Sequence, residues 1–492
     1  MASAYQKLHF VLIPFMASGH FIPMADMARL LAEHGVTVTF VTTPVNAARI
    51  KPVFDRAVQS GLLLQLIQLT VPLHEFGMPK GCEDLDLVPS RDLFNNFSAA
   101  ISTLKEPVEQ LLKEMKPSPS CIISDKQHVW LADIARRLDI PRVSFDGTSC
   151  FCLLCNNNIG KSKVHESVPE SKPFVVPDLP DKIEFTIDQL PSDFNPSSKE
   201  FRDFNKKRRE FEEEAYGVIV NSFEELESGY VKGYHKAKGE NMWCIGPVSL
   251  SNKTELDKAQ RGNVAAIDGK HCMKWLDSWP KNSVVYASLG TLARLPPEQL
   301  MELGLALEES NRPFIWVLKG NRTEEVEKWI KESGFEERTK TRGLTIQGWA
   351  PQVLILSHPS IGSFLTHSGW NSTLEAICAG IPMIAWPIFT DQFYNEKLIV
   401  QVLRIGESVG AKMVVPLGNE HKFGVMVKKK EVKEAIDKVM VEGKEEEERR
   451  NRAKKLAEMA KKAVEEGGSS YLNLKLFIED IKQLATLNCT KY

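Results

Sequence analysis

Between Trp349 and Gln392 the chain reads WAPQVLILSHPSIGSFLTHSGWNSTLEAICAGIPMIAWPIFTDQ. The pattern is strand, turn, helix, strand, with histidine, serine, glycine and asparagine gathered in the turn. Such a turn presents backbone N–H groups at a helix N-terminus, where they favour a diphosphate. Its flanks add an aromatic face for a base (Trp349) and a polar pair for sugar hydroxyls (Asp391, Gln392). Base, diphosphate and sugar together describe a nucleotide sugar. A second set of reactive groups lies far upstream. His20 follows the first apolar run in the turn ASGHFIP, and Asp125 closes the run CIISD. An imidazole titrating at about 6.5 suits a base near neutrality. A carboxylate on its other nitrogen would fix the tautomer and stabilise the imidazolium.

Groups so far apart in sequence need a scaffold that brings strand ends together. In the first half, His9–Ile13, Val36–Val41, Leu62–Leu69, Cys121–Ser124, Arg142–Phe145 and Gly217–Val220 read as strands. A helix near Met24–His34, begun by Pro23, and helical patterns over Asp92–Met115 and Leu131–Leu138 separate them. Ser283–Ser288, Phe314–Leu318, Leu344–Gln347, Gly362–Leu365 and Pro382–Trp386 repeat the pattern downstream. Strands punctuated by helices predict parallel sheets covered on both faces, with ligands at the strand carboxyl ends. The expected organisation is an α/β domain over 1–245, a polar linker over 246–265, and a second α/β domain over 266–469. An amphipathic helix over about 470–492 could cap either domain. The charged stretch KEEEERRNRAKKLAEMAKKAVEEGG before it reads as a solvated helix face.

Composition narrows the class. A chain of 492 residues exceeds one ordinary core. Its 62 basic and 64 acidic residues leave a net charge of -2, which gives no electrostatic footprint for nucleic acid or an anionic membrane. The longest apolar runs fall short of the roughly 18 residues of a membrane span, and the N-terminus lacks a signal peptide's apolar core. A cytoplasmic monomer is expected. The nine cysteines show no zinc-type spacing. Cys150, Cys152 and Cys155 alternate with Phe151, Leu153 and Leu154 and read as buried core.

The Trp349–Gln392 block resembles the plant secondary-product glycosyltransferase box. PFMASGHFIPMADMARLLAEHGVTVTFVTTP, AYGVIVNSFEELE, IGPVSL, CMKWLDSWPKNSVVYASLGT and AVEEGGSSYLNL extend that resemblance from end to end. The chain is similar to plant family 1 UDP-dependent glycosyltransferases, in the branch acting on flavonoids, triterpenoids and hormones. The resemblance implies the two-domain GT-B fold, with the acceptor in the first domain, the donor in the second, and the last helix crossing back to the first. It implies that Trp349 stacks on uracil while the Ala350 backbone and Gln352 complete the base site. His367, Gly369, Asn371 and Ser372 would meet the diphosphate, with Thr291 from the SLGT loop. Glu375 would take the ribose hydroxyls, and Asp391 and Gln392 the sugar. Gln392 and Trp370 fit glucose more often than galactose. His20 would be the catalytic base and Asp125 its partner.

Simpler local readings stand beside several of these. Ser372-Thr-Leu-Glu375 fits a capping box, Thr390 and Asp391 are good N-caps, and a tryptophan at a strand end is often core. Lys126, Gln127 and His128 depart from the apolar residues that relatives carry after the aspartate. Lys126 could pair with Asp125 and weaken the relay, and His128 is a rival base.

The implied reaction is one displacement: His20 takes a proton from the acceptor hydroxyl, the oxygen attacks the anomeric carbon, and UDP leaves from the opposite face. An α-linked donor then gives a β-O-glycoside. No Asp-any-Asp motif flanks the donor segment, so neither a metal nor another cofactor is expected, the UDP-sugar being a co-substrate. Val71–Ser90, the SCFCLL helix start and Lys161–Ser198 are expected to line a large, mostly apolar acceptor site. Other donors (UDP-glucuronic acid, UDP-xylose, UDP-galactose) and nucleotide-sugar binding without turnover remain open. A nicotinamide oxidoreductase is disfavoured, since no G-x-G-x-x-G follows the first strand of either domain.

Overall fold

In the computed structural model, which describes residues 7–169, 172–194, 199–239, 241–319 and 323–489, the apolar runs of the first half pair in parallel. The strands are β1 (His9–Ile13), β2 (Thr37–Thr42), β3 (Leu64–Gln68), β4 (Cys121–Asp125) and β5 (Arg142–Asp146). A separate hairpin of β6 (Phe174–Val175) and β7 (Glu184–Phe185) precedes β8 (Gly217–Val220) and β9 (Met242–Cys244). The main sheet runs β3-β2-β1-β4-β5-β8-β9. Every residue of β1, β4 and β5 is buried, as a parallel sheet covered on both faces requires.

The second half repeats the plan with β10 (Val284–Ser288), β11 (Phe314–Leu318), β12 (Gly343–Gln347), β13 (Ile361–Thr366), β14 (Met383–Ala385) and β15 (Gly406–Ser408), in the order β12-β11-β10-β13-β14-β15. In each sheet the strand order reverses beside the first strand, between β1 and β4 and between β10 and β13. That reversal opens a crevice beyond the strand carboxyl ends. Both sheets are Rossmann-like, and their crevices face each other.

The last helix, Ser469–Cys489, belongs to the core of the first half. Phe477 packs against Phe10 and Trp243, with ring centroids 5.5 and 5.0 Å away. The Trp243 indole donates to Asp480 at 3.2 Å, and the Ser470 hydroxyl to the Gly246 carbonyl at 2.5 Å. The cysteine-rich run is the buried start of the helix Cys150–Ser162, capped by the Ser149 hydroxyl.

Two helices differ from expectation, both at prolines. The first spans Ser18–Glu33 and not Met24–His34, so Pro23 lies inside it. Proline lacks the N–H that would bond the Gly19 carbonyl one turn back. That carbonyl instead accepts from the Asn371 side chain at 2.6 Å. The pattern over Asp92–Met115 forms two helices, Phe94–Ser102 and Lys105–Glu114. Pro107 cannot donate to the Thr103 carbonyl, and the chain breaks there. No helix among the described residues is long and apolar enough to cross a membrane.

Candidate active site

The parallel register of β1 and β4 sets Ile13 level with Ser124, so both strands end at the same sheet edge. His20, in the first turn of the Ser18–Glu33 helix, therefore meets Asp125 at the end of β4. His20 Nδ1 lies 2.7 Å from Asp125 Oδ2. The other Asp125 oxygen accepts from the Gln127 N–H at 2.9 Å. Asp125 is buried, while the His20 side chain is 38% exposed toward the crevice. Burial disfavours the imidazolium, but the Asp125 charge and hydrogen bond outweigh it and hold the His20 pKa above its ordinary value. Burial also opposes the Asp125 carboxylate, and His20 overcomes this, so that pKa is lowered. With Nδ1–H donated to Asp125, Nε2 is left to take a proton.

Neither local rival holds. Lys126 turns to Asp146 (3.0 Å) and Glu212 (3.8 Å), not to Asp125. His128 is buried, and its Nε2–H donates to the Pro14 carbonyl at 2.9 Å. Burial lowers its pKa, and it packs under Phe15 away from the cavity.

In the second half, β13 runs into the helix Trp370–Ala379, whose N-cap is Gly369. No side chain caps this helix, so the capping-box reading of Ser372 and Glu375 fails. Both instead accept from the Gln352 amide, Ser372 Oγ at 3.1 Å and Glu375 Oε2 at 2.7 Å. The first N–H groups of the helix stay available to an anion. The His367 ring sits between two glycines: a Cβ built on Gly290 or Gly369 would stand 2.6 or 2.5 Å from its Nε2. Burial and then Lys319 hold His367 down to about 4, so it is neutral near pH 7. Ser368 and Thr390 have φ of 64° and 54°, left-handed conformations that non-glycine residues seldom adopt.

Trp349 follows β12, and the Lys319 ammonium lies 4.4 Å from its ring centroid. Gln392 accepts from the Ile388 and Phe389 N–H groups (2.8 and 3.1 Å), which fixes its amide and leaves its NH2 free to donate. Asp391 is the N-cap residue of the helix Gln392–Lys397, but its side chain makes no capping bond; its oxygens accept from Thr390 (3.0 Å) and Asn395 (2.8 Å). Trp370 corrects its expected donor role in part. Its indole is buried and donates to the Asn221 carbonyl at 2.7 Å, so this N–H joins the two halves and is not available to a sugar.

One cavity of about 260 Å³ brings together His20, Asp125, Thr291, Trp349, Ala350, Gln352, His367, Gly369, Trp370, Asn371, Ser372, Glu375, Asp391 and Gln392. A second, of about 500 Å³, lies beyond Gly290-Thr291 and is bordered by Asp86–Asp92 and Gly418–Lys422. The Val71–Ser90 stretch thus contributes its last residues, whereas Lys161–Ser198 lines neither cavity; residues 170–171 and 195–198 lie outside the described residues. Sequence reasoning missed Lys319 and Arg261. Lys319 borders both cavities, and its position just after β11, at the strand carboxyl end, was the available signal. Burial lowers its pKa to about 8. Arg261 sits in a polar stretch with no local pattern to mark it. Among the described residues, no group of three or more His, Cys, Asp or Glu converges as a metal ligand set.

Residues 109–415 match the family described as UDP-glucoronosyl and UDP-glucosyl transferase. The chain is 50% identical over 485 residues to UDP-glycosyltransferase 73C6 of Arabidopsis thaliana, covering 98% of each. It is 51% identical over 485 residues to UDP-glycosyltransferase 73C12 of Barbarea vulgaris, again covering 98% of each. The crystal structure of Glycyrrhiza uralensis UGT73P12 complexed with glycyrrhetinic acid 3-O-monoglucuronide superposes with a TM-score of 0.91 at 37% identity, over 99% of this chain and 98% of that one.

Proposed function

The chain belongs to the UDP-glucoronosyl and UDP-glucosyl transferase family, with a plant GT-B fold, and from this premise we propose that it is an inverting glucosyltransferase. Glycosyl transfer from a UDP-sugar to a small plant metabolite is the activity of the family. The finer reading is transfer from UDP-glucose to a hydroxyl of an apolar triterpenoid, flavonoid or steroid-like acceptor. Residues 1–245 with the last helix take the acceptor, and 266–469 take the donor. The protein acts in the cytosol as a monomer and needs no metal.

The observation that carries this reading is the meeting of two sets in one cavity: the His20–Asp125 pair of the first half and the Gln352–Ser372–Glu375 cluster of the second. Nε2 of His20 removes the acceptor's proton as its oxygen attacks the anomeric carbon. Asp125 stabilises the imidazolium that forms, and general-base action of this kind is worth roughly 10²–10⁴-fold. The departing diphosphate charge meets the free N–H groups at the Trp370–Ala379 helix start. His367, neutral there, serves as a hydrogen-bond partner. The fixed Gln392 amide and Asp391 offer donor and acceptor to sugar hydroxyls, the glutamine favouring glucose.

The test is incubation of pure protein with UDP-glucose and an aglycone panel, with UDP release and product mass as readouts. β-Glucosides are expected, and turnover is expected to survive a chelator. Glycosides formed only from UDP-glucuronic acid, UDP-xylose or UDP-galactose would overturn the donor assignment. UDP binding without product would overturn catalysis.

A further inference from the structure

Arg261, in the polar stretch between the two sheets, is the centre of a buried charge cluster that spans the crevice. Its Nε lies 2.7 Å from Asp26 Oδ2, and its Nη1 lies 2.5 Å from Glu375 Oε1. Asp26 is on the Ser18–Glu33 helix that carries His20, and its other oxygen accepts from Asn252 at 2.8 Å. Glu375 is on the Trp370–Ala379 helix. All three side chains are at most 10% exposed. Asp26 and Glu375 are buried carboxylates on opposite halves, so without the guanidinium between them they would repel.

The same two helices touch again one turn away. Asn371, four residues before Glu375 and on the same helix face, donates to the Gly19 carbonyl at 2.6 Å. Gly19 and Asp26 are seven residues apart and share a face of their own helix. The helix bearing the base is therefore held against the donor helix at two points, through Asn371 and through Arg261. Only Arg261 supplies charge.

We propose that Arg261 is a positioning residue: through Asp26 it fixes the His20 helix against Glu375, so that ribose bound at Glu375 and the base are set in register. This extends the glucosyltransferase reading and rests on it. In this structure each Glu375 oxygen has one hydrogen-bond donor, Arg261 or Gln352. Each retains capacity for a ribose hydroxyl. The arginine stays between the carboxylates when donor binds, and attack geometry depends on a residue that need not touch the sugar. A displacement of about 1 Å at the reacting atoms costs on the order of a hundredfold in rate.

Asp26 does not line the cavity, so Asp26→Asn separates positioning from donor contact. With the full-length protein, UDP affinity by calorimetry should stay within about threefold of wild type. kcat should fall about tenfold or more, and KM for the acceptor should rise. Asn252→Ala, which removes the hydrogen bond on the other Asp26 oxygen and lies outside the cavity, should show the same split in weaker form and serves if Asp26→Asn fails to fold. Unchanged kcat in these variants would overturn the proposal. So would UDP affinity and kcat falling together, which would make the cluster a wall of the donor pocket. If wild type neither binds UDP nor turns over UDP-glucose, the underlying reading falls and takes this one with it. If wild type turns over and the variants match it, the positioning role alone falls.

Discussion

Lys126 is paired with Asp146 and not with its chain neighbour Asp125: its ammonium stands 3.0 Å from Asp146 Oδ2. Asp125 is thus left to His20, and the unusual lysine neutralises a different buried carboxylate. Removing one partner of a buried ion pair strands the other's charge, at about 3–5 kcal/mol. Lys126→Met should therefore lower the melting temperature, and Lys126→Met with Asp146→Asn should recover most of it. Thermal unfolding of the three proteins tests this; an unchanged single variant would show that the pair carries no stability.

The raised pKa of His20 fixes the sign of a pH effect. The proposed base must be neutral to accept a proton, so kcat/KM should rise with pH along a limb centred above 6.5. Asp125→Asn removes the charge that raises it, so the limb should move to lower pH while the plateau falls by roughly 10²–10⁴-fold. His20→Ala should abolish turnover and leave UDP binding intact. For stability the sign is opposite. The pair's contribution through His20 is complete below the unfolded pKa of about 6.5 and is lost as pH climbs through the raised folded value.

Gly369→Ala isolates the placement of His367. The new methyl would stand 2.5 Å from the imidazole Nε2, so the ring must swing away from its place between Gly290 and Gly369. The Gly369 φ of -60° suits alanine, so backbone strain is not the cause. KM for the UDP-sugar should rise about tenfold with little change in melting temperature. A wild-type KM would mean that His367 is not a donor contact.

Trp349→Ala tests the base site directly. Stacking of a base on an aromatic side chain is worth about 1–3 kcal/mol, so UDP affinity by calorimetry should drop about fivefold to 150-fold. Trp349→Phe should retain part of it. Equal affinities in all three proteins would place the uracil elsewhere.

The scaffold was legible because parallel strands buried on both faces are written as short runs of apolar residues. VVYAS and FIWVL name β10 and β11 almost residue by residue. The edges were harder: β9 and β15 are three residues each, too short for any period to register. The residues that line the crevice were readable where they follow a sheet strand closely, as with His20 in the helix start after β1, Asp125 at the end of β4 and the Trp349–Gln392 block. They were not readable where a side chain works through distant partners. Arg261 owes its place to Asp26 and Glu375, and nothing in QRGN announces either. Trp370 was expected from the resemblance to favour glucose, but its indole donates to Asn221, a residue far upstream that no local pattern connects to it.

The terminal helix has a mechanical consequence. The polypeptide passes between the halves twice, once after Gly246 and once before Ser469, and the Ser470 hydroxyl clasps the Gly246 carbonyl where those passages adjoin. The clasp gathers both passages at one place. Both ends of that clasp, with Phe477 against Phe10 and Trp243, lie on the first half, so the chain's tail seals the core of the lobe it began in. Cutting the polypeptide before Ser469 would therefore bare Phe10 and Trp243 of the first half and leave the strands of the second untouched.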